Sequence, residues 1–417
     1  MFVSLFVVLL LQGAPQPPLD LERLIQQAEQ RNRELQMARR TWEAAEARPS
    51  QESAPPNPIV SLGAVSPGLV PIPGRGIGMD QQSYVSPMVM QDVPFPGKLK
   101  LKGEIAQKEA DSVGRTYEAT RLNVINELKM AYFELYRAEK SIETVEKNRE
   151  LLTQLAEIAR ARYEVGSGLQ QDVIKSQLEA TMLEERLTMF RQKRESMKAK
   201  INQLIDRPPD ASLGTVTDIE PSELRYSLEQ LYATAEETNP VIASRRIMVD
   251  RNARKLDLAK KQYLPDFNVR LGYMYMGQFD NLWDVSVGAQ VPLYFWKKER
   301  KGVEEASAEL RGATNDYEAT AQESYREIKD GYLAVTTADR LIRLYKEAVI
   351  PQASTALESS LAAYRVGNLD FLSIINNWSI LLNFQLEYYN QLAIREAALA
   401  GLERLTGLRL VQTGGAK

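Results

Sequence analysis

The side chains that most often carry catalysis are missing from this sequence. Among its 417 residues there is no cysteine and no histidine, which excludes disulfides, thiol nucleophiles, histidine general bases and ordinary zinc sites. Carboxylates remain, but no pair forms an acid–base motif, and there is no phosphate-binding loop. The net charge is −3, and acidic and basic residues are mixed along the chain, whereas a nucleic-acid-binding surface has clustered basic residues. We therefore expect no enzyme, no cofactor, no bound metal and no nucleic-acid partner.

A few acidic and sulfur-containing side chains still stand at notable positions. Asp172 and Asp370 each follow a Val-Gly pair within a few residues, where a helix dipole favours a solvated acid at a helix start. Soft metal ligands are offered by four methionines, although such residues more often pack or face lipid: Met88, Met90, Met274 and Met276. The role of these side chains depends on the elements that hold them.

The chain is an internal repeat. Leu21–Asn32 matches Leu228–Asn239, with the same spacing of Leu, Glu, Ala and Asn residues. Two further landmarks recur in the same order: Val93-Pro94 with Val291-Pro292, and Tyr163-Glu164-Val165-Gly166 with Tyr364-Arg365-Val366-Gly367. Three matched landmarks indicate a duplication, with halves at about 21–207 and 228–407 joined by a turn-rich stretch.

Each half predicts a helix, a β-hairpin, a very long helix, a tight turn and a return helix. The first helix is expected from Asp20 to about Ala47, and its counterpart over 227–262 is expected to break at Pro240. The long stretches 97–163 and 296–364 contain one proline, Pro351. At about 1.5 Å per residue each would be roughly 100 Å long. Apolar residues recur every seven positions, as in coiled coils: Leu128, Leu135, Ile142, and then Val145, Leu152, Ala159.

The hairpins alternate apolar and polar residues over about ten positions, which suits a tilted strand that crosses a bilayer. The alternation is clearest in 267–275 and 283–291, although a half-buried sheet in a soluble domain predicts the same pattern. The apolar run 1–11 indicates a signal-like segment over 1–18; the alternative is a buried N-terminal segment. Since no other apolar run approaches 20 residues, a membrane span would have to consist of strands.

With these features in place, the sequence resembles the TolC-like outer membrane efflux family. The likeness rests on the doubled plan, on Tyr263-Leu264-Pro265 before a strand, on Val291-Pro292 after one, and on the two Tyr-x-Val-Gly turns. The run 93–98, VPFPGK, looks most like the heavy-metal-efflux branch.

The resemblance implies a mostly α protein with a membrane β-barrel part. Four strands per chain would complete a twelve-stranded barrel in a homotrimer, and long antiparallel coiled-coil hairpins would form an α-barrel. The implied domains are a first repeat over 19–207, with its β-hairpin at 58–92 and its helical tip at 163–169. An equatorial linker over 208–226 follows. A second repeat over 227–410 has its β-hairpin at 265–292 and its tip at 364–369, and the tail is 411–417.

The resemblance also implies a function and its sites. The chain would be the passive exit duct of a tripartite efflux or type I secretion-like system in the outer membrane of a Gram-negative bacterium, with its helices in the periplasm. Its partners would be outer-membrane lipid, a periplasmic adaptor and an inner-membrane pump. Family docking residues carry over to the two tips: Tyr163, Val165, Gly166, Leu169, Tyr364, Val366, Gly367 and Leu369.

The family's tunnel narrows at the same end, often with aspartate rings six and nine residues after the second tip glycine. Ser373 and Asn376 stand there instead, so the chain departs from the family pattern. Asp172 and Asp370 are the remaining candidates for a threefold carboxylate gate that favours cations. A different class of function stays open beside the duct, namely a soluble periplasmic coiled-coil scaffold or tether.

Overall fold

Residues 18–65, 82–219 and 221–411 are described by the structure, which is a computed structural model. The predicted signal-like segment lies outside these ranges except for Pro18, as do the loop of the first β-hairpin and all of the tail beyond Val411. Helices occupy Leu21–Arg31 (α1), Arg33–Glu46 (α2), Arg48–Ser53 (α3), Lys98–Glu164 (α4), Gln170–Leu204 (α5), Leu228–Thr238 (α6), Pro240–Lys261 (α7), Glu299–Leu344 (α8), Ile350–Arg365 (α9) and Phe371–Thr406 (α10).

The strands form an antiparallel sheet with the order β1-β2-β3-β4 in the described residues. They span Ile59–Val65 (β1), Tyr84–Val93 (β2), Asp266–Met274 (β3) and Leu282–Gln290 (β4). The hairpin of each half therefore pairs with the other, through the contact of β2 with β3. This mostly helical architecture with four strands confirms the predicted fold class.

The long helices form as the sequence predicts. α4 runs for 67 residues without interruption, and the heptad positions Leu128, Leu135, Val145 and Leu152 are buried. α8 and α9 are separated by a π-helical turn at Tyr345–Val349, which ends two residues before Pro351. Because Pro351 has no N–H to donate, the regular hydrogen-bond ladder cannot continue through it, and the wider turn absorbs the break.

The prediction of one helix from Asp20 to Ala47 is wrong at Asn32. The Asn32 carboxamide oxygen accepts the N–H groups of Glu34 (2.9 Å) and Leu35 (3.1 Å), which starts a new helix there. Its amide nitrogen donates to the Leu204 carbonyl at 2.9 Å. The counterpart Asn239 also ends a helix, so the repeat itself carried the signal for this break.

The chain divides into two compact units, and each draws on both sequence halves: residues within 1–37, 118–239 and 323–417 form the first, and residues within 38–117 and 240–322 form the second. In the first, α4, α5, α9 and α10 bury an apolar core that includes Leu183, Phe371 and Trp378. In the second, Trp42 packs onto α4 at Gly114, where an added Cβ would lie 3.0 Å from its indole nitrogen. Glycine in this long helix therefore permits close helix packing.

Candidate functional site: a two-faced sheet and two helical tips

The register of the sheet, which lies in the second unit, sorts its side chains into two unlike faces. Directly opposed residues share a face, and the pairs Leu62–Pro87, Val89–Leu271, Val269–Val287 and Leu271–Val285 are all apolar. One face therefore consists almost entirely of apolar side chains: Val60, Leu62, Ala64, Val85, Pro87, Val89, Val93, Phe267, Val269, Leu271, Tyr273, Trp283, Val285, Val287 and Ala289, with Gln91 as the polar member.

This apolar face is exposed rather than packed. Val60 is 74% exposed and Val287 is 72% exposed, and most of the other large side chains on the face are also exposed. In a water-soluble protein the apolar face of a sheet packs against a core. Here the apolar pattern points outward, which is the arrangement of a strand in contact with lipid.

The opposite face carries mainly polar or small residues, among them Ser61, Ser86, Asn268, Arg270, Asp284, Ser286 and Gln290. Met88, Met90 and Met274 share this face, and Met90 lies opposite Arg270. Met276 follows β3 in the connecting turn, where its N–H donates to the Asn281 side chain at 3.1 Å. None of the described helices combines the length and apolar character that a membrane crossing requires.

Both helical tips, which lie in the first unit, close with the same backbone turn. Gly166 has φ of 73° and Gly367 has φ of 82°, the left-handed region that glycine adopts without strain. The Gly166 and Gly367 N–H groups donate to the carbonyls of Tyr163 (2.9 Å) and Tyr364 (3.0 Å). Each next residue donates back to the carbonyl five positions earlier. Both are Schellman turns with glycine directly after the C-cap residue, and they form the tight turns that the sequence predicts.

The side chains around the two turns differ. Val165 and Val366 are both exposed, but Tyr163 is 46% exposed whereas Tyr364 is 3% exposed. Leu169 is exposed and occupies the N-cap position of α5, while Leu369 is half-buried against the apolar core. The two tips are therefore alike in backbone but unequal in the apolar surface that they offer to a partner.

Arg162 contributes to this difference, and sequence reasoning missed it. Its guanidinium carbon lies 4.5 Å from the centroid of the Tyr364 ring, and the group donates to the Tyr364 carbonyl and to the Ser167 carbonyl at 3.2 Å. The matching position in the second half is Ala363, which cannot cover Tyr163 in return. The Arg–Ala mismatch between aligned repeats was the available signal.

The candidate gate residues fall into different environments. Asp172 is half-buried in the first turn of α5, and the Tyr364 hydroxyl lies 3.5 Å from its carboxylate. Burial and the nearby Asp172 charge raise the pKa of the Tyr364 phenol. Asp370 is exposed and accepts the Ser373 N–H at 3.3 Å as the N-cap of α10.

The other two candidates lie further into α10. Ser373 occupies the helical position that Asp172 has in α5, three residues after the N-cap. Asn376 is exposed one turn further on. The Asp172 carboxylate is thus the only acid of these candidates that contacts the other helical tip.

An outward apolar sheet face and paired long helical hairpins define the class, a mostly helical protein with a membrane-type sheet. The model of the outer membrane efflux protein family matches residues 24–205 and 231–408. The chain belongs to this family, which confirms the resemblance found in the sequence.

Known relatives agree with this assignment. The outer membrane protein TolC of Vibrio cholerae is 24% identical over 291 residues, a match that spans 66% of this chain and 65% of that protein, slightly under two thirds of its length. The solved outer membrane protein VceC of Vibrio cholerae is 21% identical and superposes with a TM-score of 0.78, covering 93% of this chain and 96% of its own. The CmeC outer membrane channel of Campylobacter jejuni is 14% identical with a TM-score of 0.79, covering 98% and 92%. At these identities the two structures establish a shared fold.

Proposed function

We propose that this chain is a subunit of a passive exit duct in the outer membrane of a Gram-negative bacterium, serving a tripartite efflux or type I secretion-like system. The observation that carries the proposal is the exposed apolar face of the sheet. Lipid is the environment in which that face is favourable, because it removes the apolar side chains from water. The opposite, polar face would then line an aqueous path.

The sheet supports a homotrimer. β1 and β4 are edge strands with one unpaired side each in the described residues, and open edges are not tolerated in hydrocarbon. Three copies of four strands would close a barrel and pair every edge. α5 independently favours further copies, because four exposed apolar residues lie on one of its sides at helical spacing: Ile174, Leu178, Met182 and Met189.

The helical tips would extend into the periplasm and dock an adaptor. Val165, Val366 and Leu169 are exposed apolar residues at the turns, and such residues call for a partner. The glycines at 166 and 367 hold the turns, and Tyr163 adds the larger exposed ring. Tyr364 is buried and Leu369 is half-buried against the apolar core. These two residues would hold the tip in shape and would not themselves contact the adaptor.

Asp172 is the stronger candidate for the gate. It is half-buried, and it contacts Tyr364 of the other helical hairpin, so its charge is coupled to the packing of the two tips. A threefold ring of Asp172 carboxylates would favour cations. Asp370 already has a local role as a helix cap, and we assign no gating role to Ser373 or Asn376. An inner-membrane pump would supply the energy of transport.

The proposal is tested by the conductance of the purified protein in a planar bilayer, with the mobility of unboiled protein on gels measured in parallel. We expect a trimer-sized species with a small, cation-selective conductance. Asp172→Asn should reduce cation selectivity. Asp370→Asn is the matched control, because asparagine also caps helices well, and it should leave selectivity unchanged. A water-soluble monomer without bilayer activity would instead support a soluble coiled-coil scaffold.

A further inference from the structure

A cluster of exposed aromatic side chains lies in the second unit where the chain leaves β4 and turns into α8. Tyr294, Phe295 and Trp296 are all exposed, and the Phe295 and Trp296 ring centroids are 5.2 Å apart in an edge-to-face arrangement. Tyr263, just past the end of α7, lies 6.4 Å from Phe295. The Arg300 N–H donates to the Phe295 carbonyl at 2.9 Å, so this turn is tied to the start of the helix.

A run of basic side chains follows the aromatic cluster directly. Lys297, Lys298, Arg300 and Lys301 are all exposed, whereas Glu299, the acid among them, is buried. The run therefore presents positive charge to its surroundings. Arg300 and Lys301 form ion pairs with Glu304 at 3.3 Å and 2.5 Å.

The two lysines nearest the aromatic rings differ from the other two bases. Within the parts of the chain that the structure describes, Lys297 and Lys298 form no ion pair, and they are joined to the turn through their backbone N–H groups. Their ammonium groups are therefore available to an anion from outside the chain.

We propose that this segment, residues 293–301, binds the headgroups of anionic phospholipids in the membrane leaflet next to the helices. The inference rests on the proposed insertion of the sheet into a membrane. The aromatic rings would lie at the level of the headgroups, where amphipathic rings are most stable. The lysine stems would follow the apolar surface while their ammonium groups contact the headgroup phosphates.

The position of the segment favours lipid over a protein partner. Val285 and Val287 of β4 are exposed on the apolar face, and the chain continues through exposed Val291 to Leu293 and the aromatic cluster. Exposed apolar side chains thus follow one another along the chain from the strand to the rings, and the lysines come directly after them. This order of apolar, aromatic and basic residues is the order of acyl chain, interface and anionic headgroup in a bilayer.

The test uses the full-length protein reconstituted in vesicles that contain brominated phosphatidylglycerol or brominated phosphatidylcholine, which quench nearby tryptophan fluorescence. Trp283 lies on the apolar sheet face, so Trp283→Phe is the background in which Trp296 reports on the segment. Trp378 is fully buried and Trp42 stacks on Tyr117, and both supply a constant signal. The measured quantity is the binding of the anionic lipid relative to the zwitterionic lipid at Trp296.

We expect phosphatidylglycerol to be preferred at low salt, with a loss of up to about fivefold for each lysine removed. Lys297→Gln with Lys298→Gln should bring the preference close to unity, and added salt should reduce it in the parent protein. The matched control replaces two exposed lysines, one in α8 and one in the π-helical turn after it, Lys329→Gln with Lys346→Gln, and should leave the preference unchanged. Added inorganic phosphate at constant ionic strength should have no effect.

Four results would contradict the inference. Equal quenching by the two lipids in a conducting protein overturns the headgroup preference and leaves the channel proposal intact. A preference that survives the removal of both lysines overturns their role. Competition by inorganic phosphate identifies a site for the free anion instead of a lipid. Absence of quenching by either lipid, together with absence of conductance, overturns the proposed function itself.

Discussion

The two helical tips share one backbone turn but not one environment. At the first tip Tyr163 is exposed beside Val165, and at the second Tyr364 lies under the guanidinium of Arg162. The duplicated Tyr-x-Val-Gly motif therefore reproduces the local conformation, because glycine at φ near 73° and 82° closes both helices. It does not reproduce the surroundings of the tyrosine, which depend on residues outside the motif.

This difference separates structural from docking residues within a repeated motif. Tyr364 belongs to the apolar core with Phe371, whose ring centroid lies 5.6 Å away, and it contacts Asp172. Tyr163 makes no comparable ring contact among the described residues and stays open to a partner. A repeat in sequence is thus evidence for a shared shape, while the role of each copy has to be established from its neighbours.

The largest effect is expected from removing the two tyrosines separately. Tyr364→Ala should lower the free energy of unfolding by about 3 kcal/mol, because a buried aromatic ring leaves a cavity. Tyr163→Ala should change it by less than about 0.5 kcal/mol, as is usual at exposed positions. Denaturant unfolding of the purified variants, followed by circular dichroism, measures both values. Equal losses at the two positions would show that the tips are equivalent.

Arg162→Met should have the second-largest effect on the free energy of unfolding. It removes the ring contact and the hydrogen bonds to two carbonyls, which we expect to cost about 1–2 kcal/mol, and it should increase bilayer conductance by loosening the two tips. Arg160→Met is the control, because the exposed Arg160–Glu164 pair at 3.0 Å is worth less than about 0.5 kcal/mol. If the two methionine variants behave alike in stability and conductance, Arg162 does not hold the tips together.

The shared turn predicts equal effects at its two glycines. Gly166→Ala and Gly367→Ala should each cost about 1 kcal/mol, because an L-residue is strained in the left-handed region. Gly401→Ala lies inside α10 with open space around the added methyl group, and it should instead stabilise the protein by up to about 1 kcal/mol. A loss of stability in only one of the two tip variants, measured by the same unfolding experiment, would show that the two backbone turns are not equivalent.

The smallest expected effect is a pH dependence of the free energy of unfolding that arises at the second tip, from Tyr364. Burial and the Asp172 charge raise the pKa of Tyr364 in the folded protein. Its stabilising contribution is therefore complete below the ordinary tyrosine pKa of about 10 and is lost as the pH rises through the higher folded value. Tyr364→Phe should make the stability fall less steeply above about pH 10. If the slope of stability against pH is the same in Tyr364→Phe, the Tyr364 phenol does not cause this pH dependence.

Much of the fold could be predicted because its signals are local or strictly periodic. Alternation over β3 and β4 places Val269 opposite Val287 on the apolar face. The heptad residues Leu128 and Val145 are buried, and the scarcity of proline allows a helix of 67 residues. The break at Asn32 was missed, although its counterpart Asn239 stands before a proline, because a side-chain cap leaves no mark in the hydrophobic pattern.

The sequence by itself determined the periods, the turns and the duplicated plan, since these follow from backbone preferences within a few residues. Only the tertiary structure decided that Arg162 reaches the carbonyl of Tyr364, 202 positions later. It also decided that Asp172 contacts the opposite tip while Asp370 caps its own helix. The reason is physical: a long flexible side chain has many rotamers, and its contact depends on which distant helix packs beside it.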